Sequence, residues 1–170
     1  TQSYIFFPRN VTLPVISIAT NEKYFYDNKL GIYVDGTYST KKKNYEYDWR
    51  RPINLEIFFD KEEDSKINQL CETRIMGGAT RSAALKSLAI YANKRFGEKR
   101  FKYEFFPDDR PGITDFKSIA LRNAGNDFDY LFQRDAIIQL NTARHCDIDF
   151  QAYRPAIFLS LKNIRPCRRP

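Results

Sequence analysis

The 170 residues predict an α+β fold: an antiparallel β-meander packed against one long helix, Phe128–Ala143. Three observations lead there. Residues 53–59 alternate, with Ile53, Leu55, Ile57 and Phe59 on one face and Asn54 and Glu56 on the other. A charged turn and the segment Leu70–Met76 return from them as a hairpin, and a third alternating segment follows Gly77-Gly78. From Phe128 the spacing becomes helical, with Leu131, Asp135, Ile138 and Thr142 on one stripe. Fourteen Phe and eleven Tyr against one Trp agree with a sheet-rich chain, because aromatic rings fit a pleated surface.

Taken in order, Tyr4–Phe7 reads as a short strand and Leu13–Ala19 as a strand buried on at least one face. Thr20-Asn21-Glu22 can cap a brief helical turn across Lys23–Asp27. Gly31–Val34 reads as a strand fragment, and residues 37–51 as an exposed basic loop whose Trp49 plugs the edge of the core. Phe101–Phe106 and Phe116–Arg122 are further strands, and Ala152–Leu161 is the last. Pro155 confines that last strand to an edge or delays its start. Residues 1–163 are read as one domain, and 164–170 as a Pro/Arg tail expected to fray.

Composition bounds the function only loosely. With 42% hydrophobic and 29% charged residues the chain is globular. Its net charge of +7 favours anionic partners without choosing among them, and no single basic helix or stripe emerges. No apolar run approaches the roughly 20 residues that span a bilayer, and Thr1 opens no signal-peptide pattern. Cys71, Cys146 and Cys167 lack a CxxC spacing, and their disulfide state stays open. The pair His145-Cys146 and the acid pairs Asp127/Asp129 and Asp147/Asp149 are weak signals for a metal, so no metal ligand is assigned.

The stretch Thr73–Asn93 carries the chemistry. It reads as strand, glycine turn and strand, with Lys86 sharing a face with Leu88 and Ile90. A lysine on an apolar face costs desolvation unless its ammonium finds an anion, although snorkelling from an edge strand satisfies it too. Asp135, projecting along the apolar stripe of the helix, is the matching acid. A glycine turn, a strand lysine and a helical acid follow the order of parts in a protein-kinase small lobe, where backbone N–H groups approach phosphates and the lysine neutralises them.

Several stretches, in order along residues 11–159, resemble the CotH family of spore-coat-protein-H-like atypical kinases. They are Leu13-Pro-Val-Ile-Ser-Ile, Gly31-Ile-Tyr-Val, Arg51-Pro52, Arg74-Ile-Met-Gly-Gly-Ala-Thr-Arg81, Lys86-Ser87, Phe116–Asp127, Arg134-Asp135 and Ala152-Tyr-Arg-Pro. The resemblance implies an ATP- and magnesium-dependent protein kinase acting on a coat or surface protein, at an extracellular, cell-surface or spore-coat location. It places Gly77, Gly78, Thr80 and Arg81 in the nucleotide-facing turn, Lys86 on phosphates and Asp135 on Lys86. Arg122, Asn123, Asn126, Asp127 and Arg134 become structural support.

Departures limit what carries over. Ala83-Ala84 replaces the family's aromatic-proline pair, Ala124 stands where the family often has glycine, and the segment after Leu159 lacks the family's hinge. The magnesium-binding and catalytic acids of the family lie beyond that hinge, so no catalytic residue is assigned. This chain alone is expected to be inactive and to bind ATP and magnesium without firmness. The competing reading is a basic, aromatic-rich β module that binds an anionic polymer, or a structural coat or surface protein; nucleic acid is not the expected partner.

Overall fold

The computed structural model describes residues 12–59, 66–125, 127, 137–146, 148 and 151–159. In chain order these hold β1 (Val15–Ala19), α1 (Lys23–Tyr26), β2 (Arg51–Phe58), β3 (Ile67–Ile75), β4 (Leu88–Tyr91), β5 (Phe101–Lys102), β6 (Asp115–Phe116), β7 (Ser118–Leu121), α2 (Gln139–Cys146) and β8 (Ile157–Leu159). Six strands form one sheet in the order β7-β4-β3-β2-β1-β8, and β5 and β6 form a separate pair.

β1 to β4 run as antiparallel neighbours, with Ile18 opposite Leu55, Ile53 opposite Cys71 and Ile75 opposite Leu88. These β-branched and leucine side chains suit a pleated surface and close the core with Phe25, Ile32, Ile90 and Phe101. Ser17, Asn54 and Glu56, on the alternate positions of β1 and β2, are buried as well. β1 and β2 are therefore covered on both faces. At one end Phe59 stacks on Tyr103 with centroids 4.1 Å apart, and Phe105 and Phe116 meet edge to face beside them.

The α+β expectation is overturned. The molecule is mostly β, a curled mixed half-barrel of six strands with two short helices among the described residues. β8 pairs parallel with β1, so the sheet is not a pure antiparallel meander. In place of a helix over Phe128–Ala143 packed on the sheet, the described helix is Gln139–Cys146. Ile138 and Thr142, two members of the expected stripe, are exposed. The physical reason lies in the stripe itself: Asp135 and Thr142 are half of it, and α2 adds Gln, Asn, Arg and His, leaving too little apolar surface to hold a helix against a filled core. Instead α2 is tied by polar contacts, with Arg144 Nη2 donating to Asp109 at 2.6 Å and the Tyr153 hydroxyl donating to Gln139.

Two further expectations change. Residues 31–34 form no strand; the N–H groups of Ile32 and Tyr33 donate to the carbonyls of Tyr24 and Phe25, folding the segment back on α1. The exposed loop at 37–51 contains a 3-10 helix, Asn44–Glu46, whose Asn44 is fully buried. Asn44 Nδ2 donates to Asn28 O and Gly31 O, both at 3.0 Å, and its N–H donates to Asp35 O at 2.7 Å. One side chain thus anchors a charged loop that lacks any hydrophobic period. The expected strand at Tyr4–Phe7 and the tail 164–170 lie outside the described residues.

Removing the Asn44 amide strands the buried Gly31 carbonyl, while Asn28 O keeps the Thr37 N–H at 2.6 Å. Asn44→Ala is expected to lower unfolding free energy by roughly 1–3 kcal/mol, read by urea denaturation; an unchanged midpoint would show that the loop is anchored elsewhere.

Candidate functional site

β3 and β4 separate at one end of the sheet, and the chain between them makes the site. The Met76 N–H donates to Ser87 O at 3.0 Å, one step beyond the Ile75–Leu88 pair, and the backbone then leaves the ladder. Gly77 turns it at φ +109°, and a Cβ there would lie 2.5 Å from Thr80 Oγ1. The positive φ favours glycine, and a Cβ would also oblige the Thr80 hydroxyl to move. A 3-10 helix, Ala79–Ser82, follows, with the Arg81 N–H donating to Gly78 O and the Ala83 N–H to Thr80 O. Gly78 faces open space, since a methyl placed on it would meet no atom within 4 Å.

Lys86 comes down from this turn two residues before β4, whose first residue is Leu88, rather than from within the strand. Only 7% of the residue is exposed. Its ammonium donates to Arg81 O at 2.7 Å and Ala83 O at 2.9 Å, and it lies 4.2 Å from the ring centroid of Tyr45 and 5.5 Å from that of Tyr33. The Lys86 N–H also donates to the Tyr33 hydroxyl at 2.7 Å. Burial holds the Lys86 ammonium below the ordinary lysine pKa, an effect that the charge of Asp35 partly offsets. Burial likewise pushes the Tyr33 hydroxyl above its usual value.

Among the described residues no carboxylate forms an ion pair with Lys86. Carbonyl dipoles and aromatic faces take that place. Asp135, expected to hold Lys86, lies outside the described residues, as do Asn126 and Arg134.

Of the expected supporting residues, Asn123 does the most. It is buried; its Oδ1 accepts from Ser87 Oγ at 2.7 Å and from the Gly125 N–H at 2.9 Å, and its Nδ2 donates to Leu85 O at 2.5 Å. Its own N–H donates to Ser87 Oγ at 3.0 Å, making the pairing with Ser87 reciprocal. The turn after β7 is thereby fixed to the residues on either side of Lys86. Ala124, buried at φ +64°, holds a left-handed conformation that a side chain disfavours. Asp127 is buried and its N–H donates to Ala124 O at 3.0 Å, while Arg122 is exposed just after β7.

No family model, curated protein or solved structure matches the chain. The chemistry of the site therefore rests on the residues themselves.

Gly77, Gly78, Thr80, Arg81 and Lys86 meet at one end of the sheet. Arg81, however, directs its guanidinium back into the protein, to Gly77 O at 2.7 Å, Glu46 O at 2.9 Å and Asp48 Oδ1 at 2.9 Å. Tyr33, Tyr45 and Asp48 were missed by sequence reasoning. Tyr45 and Asp48 sit in a loop without periodicity, and a bridge such as Arg81–Asp48, 33 residues apart, leaves no local signal.

Among the described residues no group of three or more His, Cys, Asp or Glu is placed to hold a metal ion. Cys71 is a buried free thiol whose pKa burial pushes up to about 12, and Cys146 is a free thiol on exposed α2. Cys167, Asp129, Asp147 and Asp149 lie outside the described residues.

A native lysine pKa below the unfolded one has a definite sign. Between the two values the unfolded chain binds more protons, so the Lys86 contribution to stability rises with pH toward 10.5. Urea titrations of wild type and Lys86→Met at several pH values below 10 are expected to show the difference moving in favour of wild type as pH increases. A difference that falls with pH would mean that the ammonium is stabilised by an anion.

Proposed function

We propose that this chain forms the nucleotide-facing portion of a CotH-like protein kinase, with Lys86 and the Gly77-Gly78 turn set toward the phosphates of ATP. The observation that carries the reading is the desolvated Lys86 ammonium beside a glycine turn with an open side. Carbonyl dipoles compensate a buried cation only in part, and a phosphate oxygen compensates it more fully. A lysine has three N–H donors. Two are taken by Arg81 O and Ala83 O, which leaves one for an incoming oxygen.

These residues fit a phosphate group: a donor cation, and a glycine at which nothing hinders a close approach. ATP and magnesium belong to the complete family domain in this reading. Within it Lys86 binds and orients, and Asn123 and Ser87 keep its backbone in place. A coat or surface protein as substrate, and an extracellular, cell-surface or spore-coat location, follow from the resemblance as parts of the same proposal. Among the described residues no helix is long and apolar enough to cross a membrane.

The anionic-polymer reading draws less support from the aromatic surface. Tyr47 and Trp49 stack with centroids 4.8 Å apart, but Lys42 lies over Tyr47 and Arg51 over Trp49. The stack uses its faces on the protein's own cations, and Tyr38 abuts both rings edge-on.

An Mg-ATP titration followed by backbone amide shifts tests the proposal. Shifts concentrated at residues 77–82 and Lys86, with affinity in the millimolar range and lost in Lys86→Ala, are expected. No change at these amides, or shifts that persist in Lys86→Ala, would contradict it.

A further inference from the structure

We propose that Arg81 is a positioning residue, clasped by Asp48 to fix the 77–82 turn over Lys86, and that it makes no contact with the ligand. The inference rests on the reading that this turn faces a nucleotide, and it changes the role of one residue within that site.

The clasp runs from the sheet to the turn through five hydrogen bonds. Arg74 on β3 donates through Nε to the Tyr91 hydroxyl of β4 at 2.9 Å, and through Nη1 to Asp48 Oδ1 at 2.6 Å. The same Asp48 oxygen accepts from Arg81 Nη2 at 2.9 Å. Arg81 Nη1 reaches Glu46 O at 2.9 Å, in the 3-10 helix that presents Tyr45 to Lys86, and Nε closes on Gly77 O at 2.7 Å. Meanwhile the Arg81 carbonyl accepts from the Lys86 ammonium at 2.7 Å.

One residue therefore ties together the turn, the aromatic cover of the lysine and the lysine itself. The Arg81 side chain is 17% exposed while that of Asp48 is 69% exposed, so the arginine is the buried arm and the aspartate the surface pin. The two guanidinium groups hold the Asp48 carboxyl below its usual pKa, with Arg81 the larger contributor. For Arg81 to swing onto a phosphate it would have to leave two carbonyls and a carboxylate at once. A planar guanidinium with each of its three nitrogens engaged in this way acts as a brace.

Amide hydrogen exchange reads the clasp without any nucleotide. Asp48→Asn, isosteric and at an exposed position, is expected to speed exchange of the Arg81 and Ala83 amides several-fold with the urea midpoint unchanged. Arg81→Ala is expected to do the same, and the double variant to add nothing further. In Mg-ATP titrations the two single variants are expected to weaken binding by the same factor, again without addition.

Unchanged exchange in Asp48→Asn would overturn the clasp. So would an Arg81→Ala loss of ATP affinity that exceeds that of Asp48→Asn and adds to it, the mark of direct contact. If wild type shows no ATP response, the nucleotide reading fails while the exchange data still decide whether the clasp exists.

Discussion

A lysine ammonium held under the edge of a β-sheet without an ion-pair partner among the described residues constrains everything around it. Lys86 is buried, yet its ammonium meets two backbone carbonyls and the faces of Tyr45 and Tyr33. Such an arrangement lasts only if the carbonyls and rings stay in place, because a cation in a dry site loses its hydration without regaining a full counter-charge. The surrounding contacts meet that demand. Asn123 and Ser87 fix the chain on either side of the lysine, Asn44 anchors the loop that carries Tyr45, and Arg81 joins that loop to the glycine turn.

The sheet supplies rigidity at a distance. β2 and β3 lie at its centre with seven registered pairs, and their core positions are buried from Ile53 through Ile75. The site forms where β3 and β4 part, so the glycine turn can be irregular while its two ends remain fixed by the ladder. Loops mounted on a rigid scaffold commonly carry function in this way. Here the turn is additionally pinned from the side through Arg74 and Asp48, which ties its height above Lys86 to the sheet rather than to its own short 3-10 helix.

Strong local periodicity was legible in the sequence, and long-range polar pairing was not. Alternation marked β1, β2, β3 and β4 to within a few residues, and Pro155 foreshadowed a last strand that starts at Ile157 on a sheet edge. Alternation could not reveal that Asn54 and Glu56 are covered too, because the pattern distinguishes the two faces of a strand without saying what lies against each. The long helix was overread: a stripe half made of Asp135 and Thr142 satisfies the spacing, but its described members, Ile138 and Thr142, are exposed. Lys86 stood out because a charge among apolar neighbours is locally visible. Its aromatic cover and the Asp48 clasp come from a basic loop at 44–49, far away in sequence and without any repeat, so nothing local announced them.

The most direct measurement is the titration of the Lys86 side chain itself, followed through its Cε and Nζ resonances. A cation held by carbonyls and rings has a native pKa below 10.5, and that is the result expected here. A value at or above 10.5 would mean that a carboxylate neutralises the ammonium, and the central constraint proposed for this site would then be the wrong one.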